Sequence, residues 1–589
     1  MNVRTDAALL AIVSQRLEAI AGKMQNTLLR TARSGVINTG RDFSCCVLSH
    51  DTRLLAVGKS LPIHVMSGPD LMARSMMDLH PKLARGDAYL HNSPYHGCSH
   101  AADLSVLVPV FDGDGIHRFT VMAKAHQADI GNSIPTTYHA IARDVYEEGA
   151  LIFAATRIQR DYRDIDDIVR LCELRIRIPG QWRGDYLASL GAARIGEREL
   201  EKLGAELGWD RLTHLVERWL DYSERRMVSA IRALPDGTAE AVCVHDPMPG
   251  TPDDGVPVHA RISVDTQDSR IGVDLRNNID CLPCGLNLSE ACARTSAMVG
   301  VFNSLGLDLP TNAGSFRRID VTLRKNCVVG IPVHPTSCSV ATQNIADRLI
   351  NAVQLAFTRL ADGLGMAETG AAQTAAQAVI SGTDCRHEDA PFVNQVILGD
   401  TLGAAGPYAD GWLGLITTGT AGMSFFDSVE IDELHYPIRV NERRLVTDTE
   451  GAGRFRGAPS SQVSLSPVGG PVRVLYQSDG HINPPQGARG GRAGGAARNF
   501  LTDGATSEHE ALGGWGDLEI QPGQSVTGIS CGGGGYGPPL ARDPKSVRDD
   551  VAEGYVSIAR ARDVYGVVLD ANGDVDEQAT RAQRARRGP

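Results

Sequence analysis

Apolar runs in this sequence are short, and turn-forming residues interrupt most of them. Phe43–Leu48, Ser105–Phe111 and Phe119–Ala123 have the length of strands, and Asp112-Gly-Asp-Gly separates the last two as a hairpin turn would. No run approaches the roughly 18 apolar residues that a membrane span needs. The sequence therefore predicts a globular protein whose strands are joined by tight turns.

Other stretches have helical periodicity. Near the N-terminus, Leu17, Ile20, Met24 and Leu28 recur at steps of three and four, which predicts an amphipathic helix with one face on the core. Residues 164–232 and 341–363 return to a helical pattern. The expected fold class is α+β, a large subunit of several units with mixed sheets and helices.

The length and the distribution of glycine predict three units. Residues 1–235 form an N-terminal α+β unit that ends at Pro235-Asp-Gly237, and residues 236–440 form a central α+β unit. Glycine is dense between Gly451 and Gly537, so residues 441–589 are expected to be β-rich, with a disordered basic tail.

Charge and cysteine usage exclude several function classes. The 70 acidic and 58 basic side chains give a formal net charge of -12, which argues against a nucleic-acid surface. No export signal is recognisable, and the 12 cysteines are scattered, as in a reduced protein. We expect a cytoplasmic protein that binds neither nucleic acid nor membrane.

Residues that could carry chemistry concentrate between positions 42 and 139. The ligand-type side chains there are Asp42, His64, His91, His96, His100, Asp103, His126, Asp129 and His139. His100-Ala-Ala-Asp103 and His126-Gln-Ala-Asp129 repeat one spacing, the second just after a predicted strand. Two such pairs at neighbouring strand ends predict one ion held by both.

Mixed imidazole and carboxylate ligation suits a divalent transition metal, namely Zn, Mn or Fe, and the residues do not choose among them. The alternative is that these histidines cap turns or satisfy buried carbonyl groups. The sequence contains no Walker-type phosphate loop and no His-Glu-x-x-His motif. If the reaction uses ATP, this chain is not expected to bind it through a Walker site.

A long ordered series of motifs runs through the sequence, from roughly residue 10 to residue 570. Its N-terminal members are Arg41-Asp-Phe-Ser-Cys45, Pro62-Ile-His64, Asn92-Ser-Pro-Tyr95, Ser99-His-Ala-Ala-Asp103 and His126-Gln-Ala-Asp-Ile-Gly131. Later members include Arg183-Gly-Asp185, Asn312-Ala-Gly314, Gly451-Ala-Gly-Arg-Phe-Arg-Gly457 and Ala561-Arg-Asp-Val-Tyr-Gly566. This series resembles one family, the hydantoinase B (HyuB-type) subunit shared by ATP-dependent hydantoinases, 5-oxoprolinases and acetone carboxylases (alpha subunit).

The resemblance implies a division of labour within a hetero-oligomer. A partner of the HyuA type binds ATP and Mg and phosphorylates the substrate, and the subunit similar to this chain holds a metal centre that completes hydrolysis of a cyclic amide or imide. By motif, the metal ligands are Asp42, His100, Asp103 and His126. His64 and Asp129 are then the candidates for proton transfer or for support of the ligands.

Two departures from the family pattern bear on activity. The family usually has Asn-Asp-Pro-Tyr where this chain has Ser93, and often a second histidine where it has Gln127. Two alternatives to hydrolysis therefore stay open: an ATP-dependent ketone carboxylase of the acetone or acetophenone type, and a non-catalytic scaffold subunit. The substrate itself does not follow from the sequence.

Overall fold

The computed structural model describes residues 3–306, 308–370, 373–399 and 402–587, with side chains from residue 8 onward. These residues form a mixed α+β fold with four sheets, which confirms the predicted fold class. The boundaries of the three units stay a prediction.

The N-terminal part contains a seven-stranded sheet with helices packed against it. Its strands are β1 (Phe43–Ser49), β2 (Leu54–Val57), β3 (Ala88–His91), β4 (Asp103–Phe111), β5 (His117–His126), β6 (Thr156–Arg160) and β7 (Arg163–Asp164). Its helices are α1 (Val3–Thr31), α2 (Gly35–Asn38), α3 (Pro62–Val65), α4 (Pro69–Leu79), α5 (Val145–Glu148), α6 (Asp166–Arg175), α7 (Pro179–Leu207) and α8 (Trp209–Ile231).

The predicted apolar stripe of α1 is confirmed. Leu17, Met24 and Leu28 are fully buried and Ile20 nearly so, in a core shared with β1, β4, β5 and α7. The sheet has the order β2-β1-β5-β4-β3-β6-β7, and its neighbouring strands are antiparallel. Because this sheet is covered by helices, β1 and β4 are buried at every position, and their apolar runs do not alternate.

The central part packs two helices on a four-stranded sheet of order β11-β10-β9-β8. Its elements are β8 (Gly237–His245), β9 (Val256–Asp265), β10 (Arg270–Asp274), α9 (Glu290–Leu305), α10 (Ala313–Phe316), β11 (Ile319–Thr322) and α11 (Ile345–Leu360). Strand β9 alternates between buried and exposed positions, as a sheet with one face in solvent requires.

The C-terminal part holds two further sheets, of order β13-β12-β16-β19 and β14-β15-β20-β17-β18. Its strands are β12 (Val379–Asp384), β13 (Ala390–Gln395), β14 (Ile438–Leu445), β15 (Ser461–Pro467), β16 (Val472–Gln477), β17 (Arg498–Asp503), β18 (His509–Leu512), β19 (Trp515–Ile520) and β20 (Gln524–Ile529). Its helices are α12 (Val429–His435), α13 (Pro544–Ala552), α14 (Ile558–Asp563) and α15 (Glu577–Arg587).

The basic tail, expected to be disordered, instead forms α15. Arg584 donates to the carbonyl oxygens of Tyr565 and Arg542, and Thr580 is buried, so the helix is docked on the C-terminal part. The composition of the tail could not predict these contacts, because they join residues that are far apart in the sequence. Residues 588–589 lie outside the described residues.

In the described part of the chain, no helix combines the length and the apolar character needed to cross a bilayer.

The glycine run Gly532–Gly535 passes through a crowded interior. Its backbone amides donate to the carbonyl oxygens of Gly495, Ala458, Glu368 and Arg492, so these four amides are occupied within the protein. A Cβ atom on Gly457 would lie 1.8 Å from the carbonyl oxygen of Gly533. Glycine is required here because the two backbones approach more closely than a methyl group permits.

Replacing Gly457 by alanine is therefore expected to destabilise the chain by about 3 kcal/mol or more, because backbone must move to relieve the overlap. Gly191→Ala is the matched control, since it lies in α7 with nothing within 4 Å of its Cβ position. The control should be neutral or slightly stabilising. Equal melting temperatures for both variants would contradict this packing.

Candidate metal centre

Three neighbouring strands bring carboxylate and imidazole groups to one end of the N-terminal sheet. Asp42 directly precedes β1, His126 ends β5 and Asp103 begins β4. Since β5 runs antiparallel to both of its neighbours, these three positions lie side by side, with Asp103 paired to His126. The amide of His126 also donates to the carbonyl oxygen of Asp42, at 3.0 Å.

Two further histidines reach the same place from outside the sheet. His100 lies on the turn before β4, and His64 lies in the short helix α3. Pro62 starts that helix, and the amide of Leu61 donates to the Ser44 hydroxyl oxygen at 3.1 Å, which fixes α3 over β1. The structure thus brings together five of the six predicted site residues, with Asp129 as the exception.

The carboxylate of Asp103 is the centre of this group. His100 Nε2 and His126 Nδ1 each lie 3.1 Å from its Oδ1, and His64 Nε2 lies 3.2 Å from its Oδ2. Asp42 stands on the other side, 3.5 Å from His64 Nε2. His100, Asp103 and His126 each offer one ligand atom within 4.8 Å of the others.

An outer shell of hydrogen bonds orients each imidazole. His100 Nδ1 lies 2.8 Å from the carbonyl oxygen of Ser339, and because only an N–H can bond there, Nε2 carries the lone pair when the imidazole is neutral. His126 Nε2 bonds the Thr137 hydroxyl at 2.6 Å, and His64 Nδ1 bonds the Ser44 hydroxyl at 3.2 Å. In all three, these outer bonds engage the nitrogen that faces away from Asp103.

These residues fit a divalent transition metal. Among the described residues, His100 Nε2 is buried without a hydrogen-bond partner, although it lies 3.1 Å from a carboxylate oxygen. A lone pair and an anionic oxygen at that separation repel each other unless a cation or a proton lies between them. Two carboxylates with neutral imidazoles are a donor set for Zn, Mn or Fe.

Burial and neighbouring charges shift the pKa values of this group in opposite directions, and the charges have the larger effect. Burial alone would raise the pKa of Asp103, but His64 and His100 hold it well below its usual value. Burial alone would lower the pKa of His100, but the Asp103 carboxylate raises it above its usual value. The site therefore favours a charged carboxylate next to positive charge, which is also what a bound cation requires.

Two polar residues that the sequence analysis did not single out extend the site. The Ser99 hydroxyl donates to Asp103 Oδ2, and the buried ammonium group of Lys124 donates to the Ser99 oxygen at 3.1 Å. The alternation of β5 was an available signal, since Lys124 and His126 are two residues apart and share one face of the sheet.

A third such residue, Tyr138, stacks on the imidazoles. Its ring centroid lies 5.6 Å from that of His100 and 5.1 Å from that of His126. Burial, followed by the charges of Asp42 and Asp103, raises the pKa of Tyr138 well above its usual value, so its phenol stays protonated. No motif indicated this contact, because Tyr138 follows a loop whose path the sequence does not determine.

Asp129 has a different environment from the five clustered residues. Its Oδ1 accepts from the Gly131 amide at 3.0 Å and from the Arg177 guanidinium at 3.1 Å, and its Oδ2 accepts from the Arg177 amide at 2.5 Å. The carboxylate thus ties the loop after β5 to the start of α7. Its predicted part in proton transfer has no supporting contact among the described residues.

The remaining ligand-type residues lie outside the group. His96 Nδ1 bonds the Ser93 hydroxyl at 2.8 Å, and Gln127 donates to the carbonyl oxygen of Ala125 at 3.0 Å. His91 is fully buried, and neither of its ring nitrogens has a hydrogen-bond partner within the part of the chain that the structure describes. The two departures from the family pattern, Ser93 and Gln127, are therefore engaged in local bonds.

A buried carboxylate in the central part holds a turn that packs against α3, the helix of His64. Asp347, in α11, accepts hydrogen bonds from the amides of Thr418 and Gly419 at 3.0 and 3.3 Å. Gly419 in turn packs against Ile63, the neighbour of His64, with its Cβ position 3.3 Å from that of Ile63. This turn connects α11 to the helix that carries His64.

Comparisons with known proteins point to one family. The sequence profile of the family described as Hydantoinase B/oxoprolinase matches residues 6–539. The chain is 29% identical to the beta subunit of a caprolactamase from Pseudomonas jessenii, over 98% of this chain and 99% of that protein. It is 28% identical to a putative D-/L-hydantoinase B subunit from Pseudomonas sp. (strain NS671), over 99% and 98% of the two chains.

Solved structures show the same architecture. The crystal structure of the ATP-dependent caprolactamase from Pseudomonas jessenii matches with a TM-score of 0.88 at 27% identity, covering 98% of this chain and 99% of that one. An acetone carboxylase in its nucleotide-free form matches with a TM-score of 0.87 at 17% identity, covering 98% and 82%. At the lower identity, the similarity shows the fold alone.

Asp347→Asn tests the buried carboxylate. Burial raises the pKa of Asp347 to about 7, whereas an unfolded aspartate titrates near ~3.9. Between these values the unfolded chain loses the proton that the folded chain keeps, so the stability of the wild type falls as pH rises. Asparagine does not titrate, and its side-chain oxygen can accept the same two amides.

The melting temperature of Asp347→Asn relative to the wild type should therefore rise between pH 4.5 and pH 8. Since each pKa unit is worth about 1.4 kcal/mol, the difference over all pH values is about 4 kcal/mol, of which about 3 kcal/mol falls between these two pH values. Thermal melts of both proteins at the two pH values measure it. A constant relative melting temperature would show that Asp347 ionises normally in the folded chain, and a falling one that its pKa is lowered.

Proposed function

The chain belongs to the hydantoinase B/oxoprolinase family, and from that premise we propose that it is the metal-bearing beta-type subunit of an ATP-dependent hydrolase of cyclic amides. The observation that carries the proposal is the buried group of His100, Asp103 and His126, whose ligand atoms converge on one point. The names of two similar proteins, which are subunits of a caprolactamase and of a hydantoinase, support the substrate class.

The proposed partner is a HyuA-type subunit that binds ATP and Mg. Amide carbonyl carbons are poor electrophiles, and transfer of a phosphoryl group to the carbonyl oxygen makes the carbon open to attack by water. The names of both relatives call them subunits, which supports a hetero-oligomer. The sequence of this chain has no Walker-type loop, and the amides of Gly532–Gly535 are occupied.

Asp42, His100, Asp103 and His126 are the proposed metal ligands, for Zn, Mn or Fe. When bound, such an ion acts as a Lewis acid and lowers the pKa of water towards ~7. The protein's own contribution is orientation: Ser339 and Thr137 fix the two imidazoles, and the Ser99 hydroxyl holds Asp103 Oδ2. Asp42 is the most exposed of the five clustered residues, at 15% of its side chain.

His64 is the proposed proton-transfer group. Its Nε2 lies 3.2 and 3.5 Å from the carboxylates of Asp103 and Asp42, a position between two groups that can exchange a proton with it. Ser44 anchors the other nitrogen. Asp129 is the second candidate named by motif, but its oxygens are already bonded to Arg177 and Gly131, which leaves His64 better supported.

The direct test is product analysis with the chain and its ATP-binding partner purified together. We expect ring-opened amino acid, ADP and phosphate from at least one of caprolactam, 5-oxoproline and hydantoin. Carboxylated product from acetone or acetophenone with bicarbonate, and none from the lactams, would favour the ketone carboxylase instead. Full activity of metal-free complex would favour the scaffold alternative.

His64→Gln should lower kcat about 100-fold, the usual range for loss of a positioned proton-transfer group, without loss of bound metal. Asp129→Asn is the comparison: it should lower the melting temperature and leave kcat within a few-fold. The reverse pattern, with kcat lost in Asp129→Asn and kept in His64→Gln, would transfer the role to Asp129.

A further inference from the structure

A buried row of polar side chains crosses the N-terminal sheet next to the proposed metal centre. Its members pair in register across β1, β5, β4 and β3, and they are Ser44, Lys124, Ser105 and His91. Directly paired residues of antiparallel strands lie on one face of a sheet, as do residues two apart on a strand. Asp103 and His126 therefore share this face, one row closer to the strand ends. The row on the other side belongs to the hydrophobic core and consists of Cys46, Met122, Leu107 and Tyr89. The polar row thus separates the centre from that core.

Two members of this row bond Asp103, by different routes. The Ser105 hydroxyl donates to the main-chain carbonyl oxygen of Asp103 at 3.3 Å. Lys124 reaches the carboxylate through Ser99: its ammonium group donates to the Ser99 oxygen at 3.1 Å, and the Ser99 hydroxyl donates to Asp103 Oδ2. Lys124 is therefore the member of the row that acts on the carboxylate itself.

The direction of these two hydrogen bonds is fixed by the chemistry of the groups that form them. An ammonium group donates and does not accept, so the Ser99 oxygen must accept from Lys124. The single hydrogen of the Ser99 hydroxyl then points at the carboxylate, which only accepts. The alternative neighbour, Cys98 Sγ, is farther away at 3.8 Å and itself lies 3.3 Å from the carbonyl oxygen of Asp103. Lys124 therefore holds Ser99 as a donor to Oδ2.

Packing does not explain a lysine at this position. Lys124 is 1% exposed, and among the described residues it forms no ion pair and its one side-chain hydrogen bond is to Ser99. Lysine is almost never fully buried without a paired charge, because the ammonium group loses its bonds to water. Met122, two residues earlier on the same face, shows that an unbranched apolar side chain fits this strand. The bond to Ser99 therefore accounts for the buried charge.

The two oxygens of the Asp103 carboxylate face different groups. Oδ1 lies 3.1 Å from both His100 Nε2 and His126 Nδ1, the ligand-type nitrogens of the group. Oδ2 accepts from Ser99 and lies 3.2 Å from His64 Nε2. A carboxylate binds a metal through one oxygen or through both, and hydrogen bonds from outer residues orient it. The Ser99 bond therefore keeps Oδ2 on the side of His64 and turns Oδ1 towards the other two imidazoles.

We propose, on the premise of the metal-dependent function proposed above, that Lys124 is a positioning residue. Acting through Ser99, it reserves Asp103 Oδ2 for His64 and leaves Oδ1 as the single oxygen that Asp103 offers to a metal. A carboxylate that binds through one oxygen leaves one more position of the ion open, which a catalytic site needs and a structural site does not. The same arrangement weakens metal binding, because the positive charge of Lys124 is buried close to the ion.

Cobalt(II) is the probe for the test, since its visible absorption becomes weaker as its coordination number rises. The metal-free complex of the chain and its partner is loaded with cobalt, and three quantities are measured: cobalt affinity, absorption per bound ion, and kcat on caprolactam, 5-oxoproline and hydantoin. Ser99→Ala should bind cobalt at least as tightly as the wild type, with weaker absorption and with kcat lowered about tenfold or more. Lys124→Met should change absorption and kcat in the same direction, and it should bind cobalt about tenfold more tightly because a buried like charge is removed.

Ser105→Ala is the matched control. Ser105 is as buried as Ser99 and lies in the same row as Lys124, but its hydroxyl bonds the main chain of Asp103 and not the carboxylate. This variant should lose stability and keep the cobalt spectrum of the wild type. Ser99→Thr keeps the hydroxyl and should restore both the spectrum and most of kcat. Melting temperatures identify variants that fail to fold, and Lys124→Met tests the same bond if Ser99→Ala does not fold.

Two failures are distinguishable. If the wild type binds cobalt and opens a ring, but Ser99→Ala and Lys124→Met bind cobalt more weakly with an unchanged absorption per bound ion, the positioning role is wrong and the two residues only stabilise the fold. If the wild-type complex binds no metal or opens none of the three rings, the proposed function fails, and the positioning role fails with it. A spectrum of Ser105→Ala that changes as much as that of Ser99→Ala would also overturn the assignment.

Discussion

A fully buried carboxylate, that of Asp103, determines what the surrounding structure must provide. An anion in an apolar interior is stable only with positive charge or several donors around it. Here three imidazole nitrogens and the Ser99 hydroxyl surround it. The pairing of β4 with β5 supplies His126, the turn before β4 supplies His100, and a separate short helix supplies His64. Folding of the N-terminal sheet therefore also brings the residues of the site together.

The rest of the chain completes this site from a distance in sequence. Ser339 fixes His100, Gln343 bonds the hydroxyl of the tyrosine that stacks on two imidazoles, and Asp347 holds the turn that packs beside α3. These three residues lie within nine positions of one another, at and just before the start of α11. One short segment of the central part therefore supports an imidazole, the tyrosine that stacks on two imidazoles and the turn that packs beside the helix of His64.

The sequence predicted the local features and missed the long-range ones. The stripe from Leu17 to Leu28 and the strands around Phe43 and Ser105 follow from periodicity, and the His100-Ala-Ala-Asp103 motif indicated the site. Spacing alone could not separate His126 from Asp129, because β5 ends at His126 and the following turn gives Asp129 to Arg177. Tyr138, Gln343 and the docking of α15 depend on packing between distant segments, for which the sequence carries no local signal.

The proposed function depends on a transition metal held by the group around Asp103. Elemental analysis of the purified wild type, beside a His100→Ala and Asp103→Ala double variant, measures that metal. Asp129→Asn serves as a folded control. We predict near-stoichiometric Zn, Mn or Fe in the wild type and the control, and its loss in the double variant. Wild-type protein without metal after reconstitution, or a double variant with as much metal as the wild type, would contradict it.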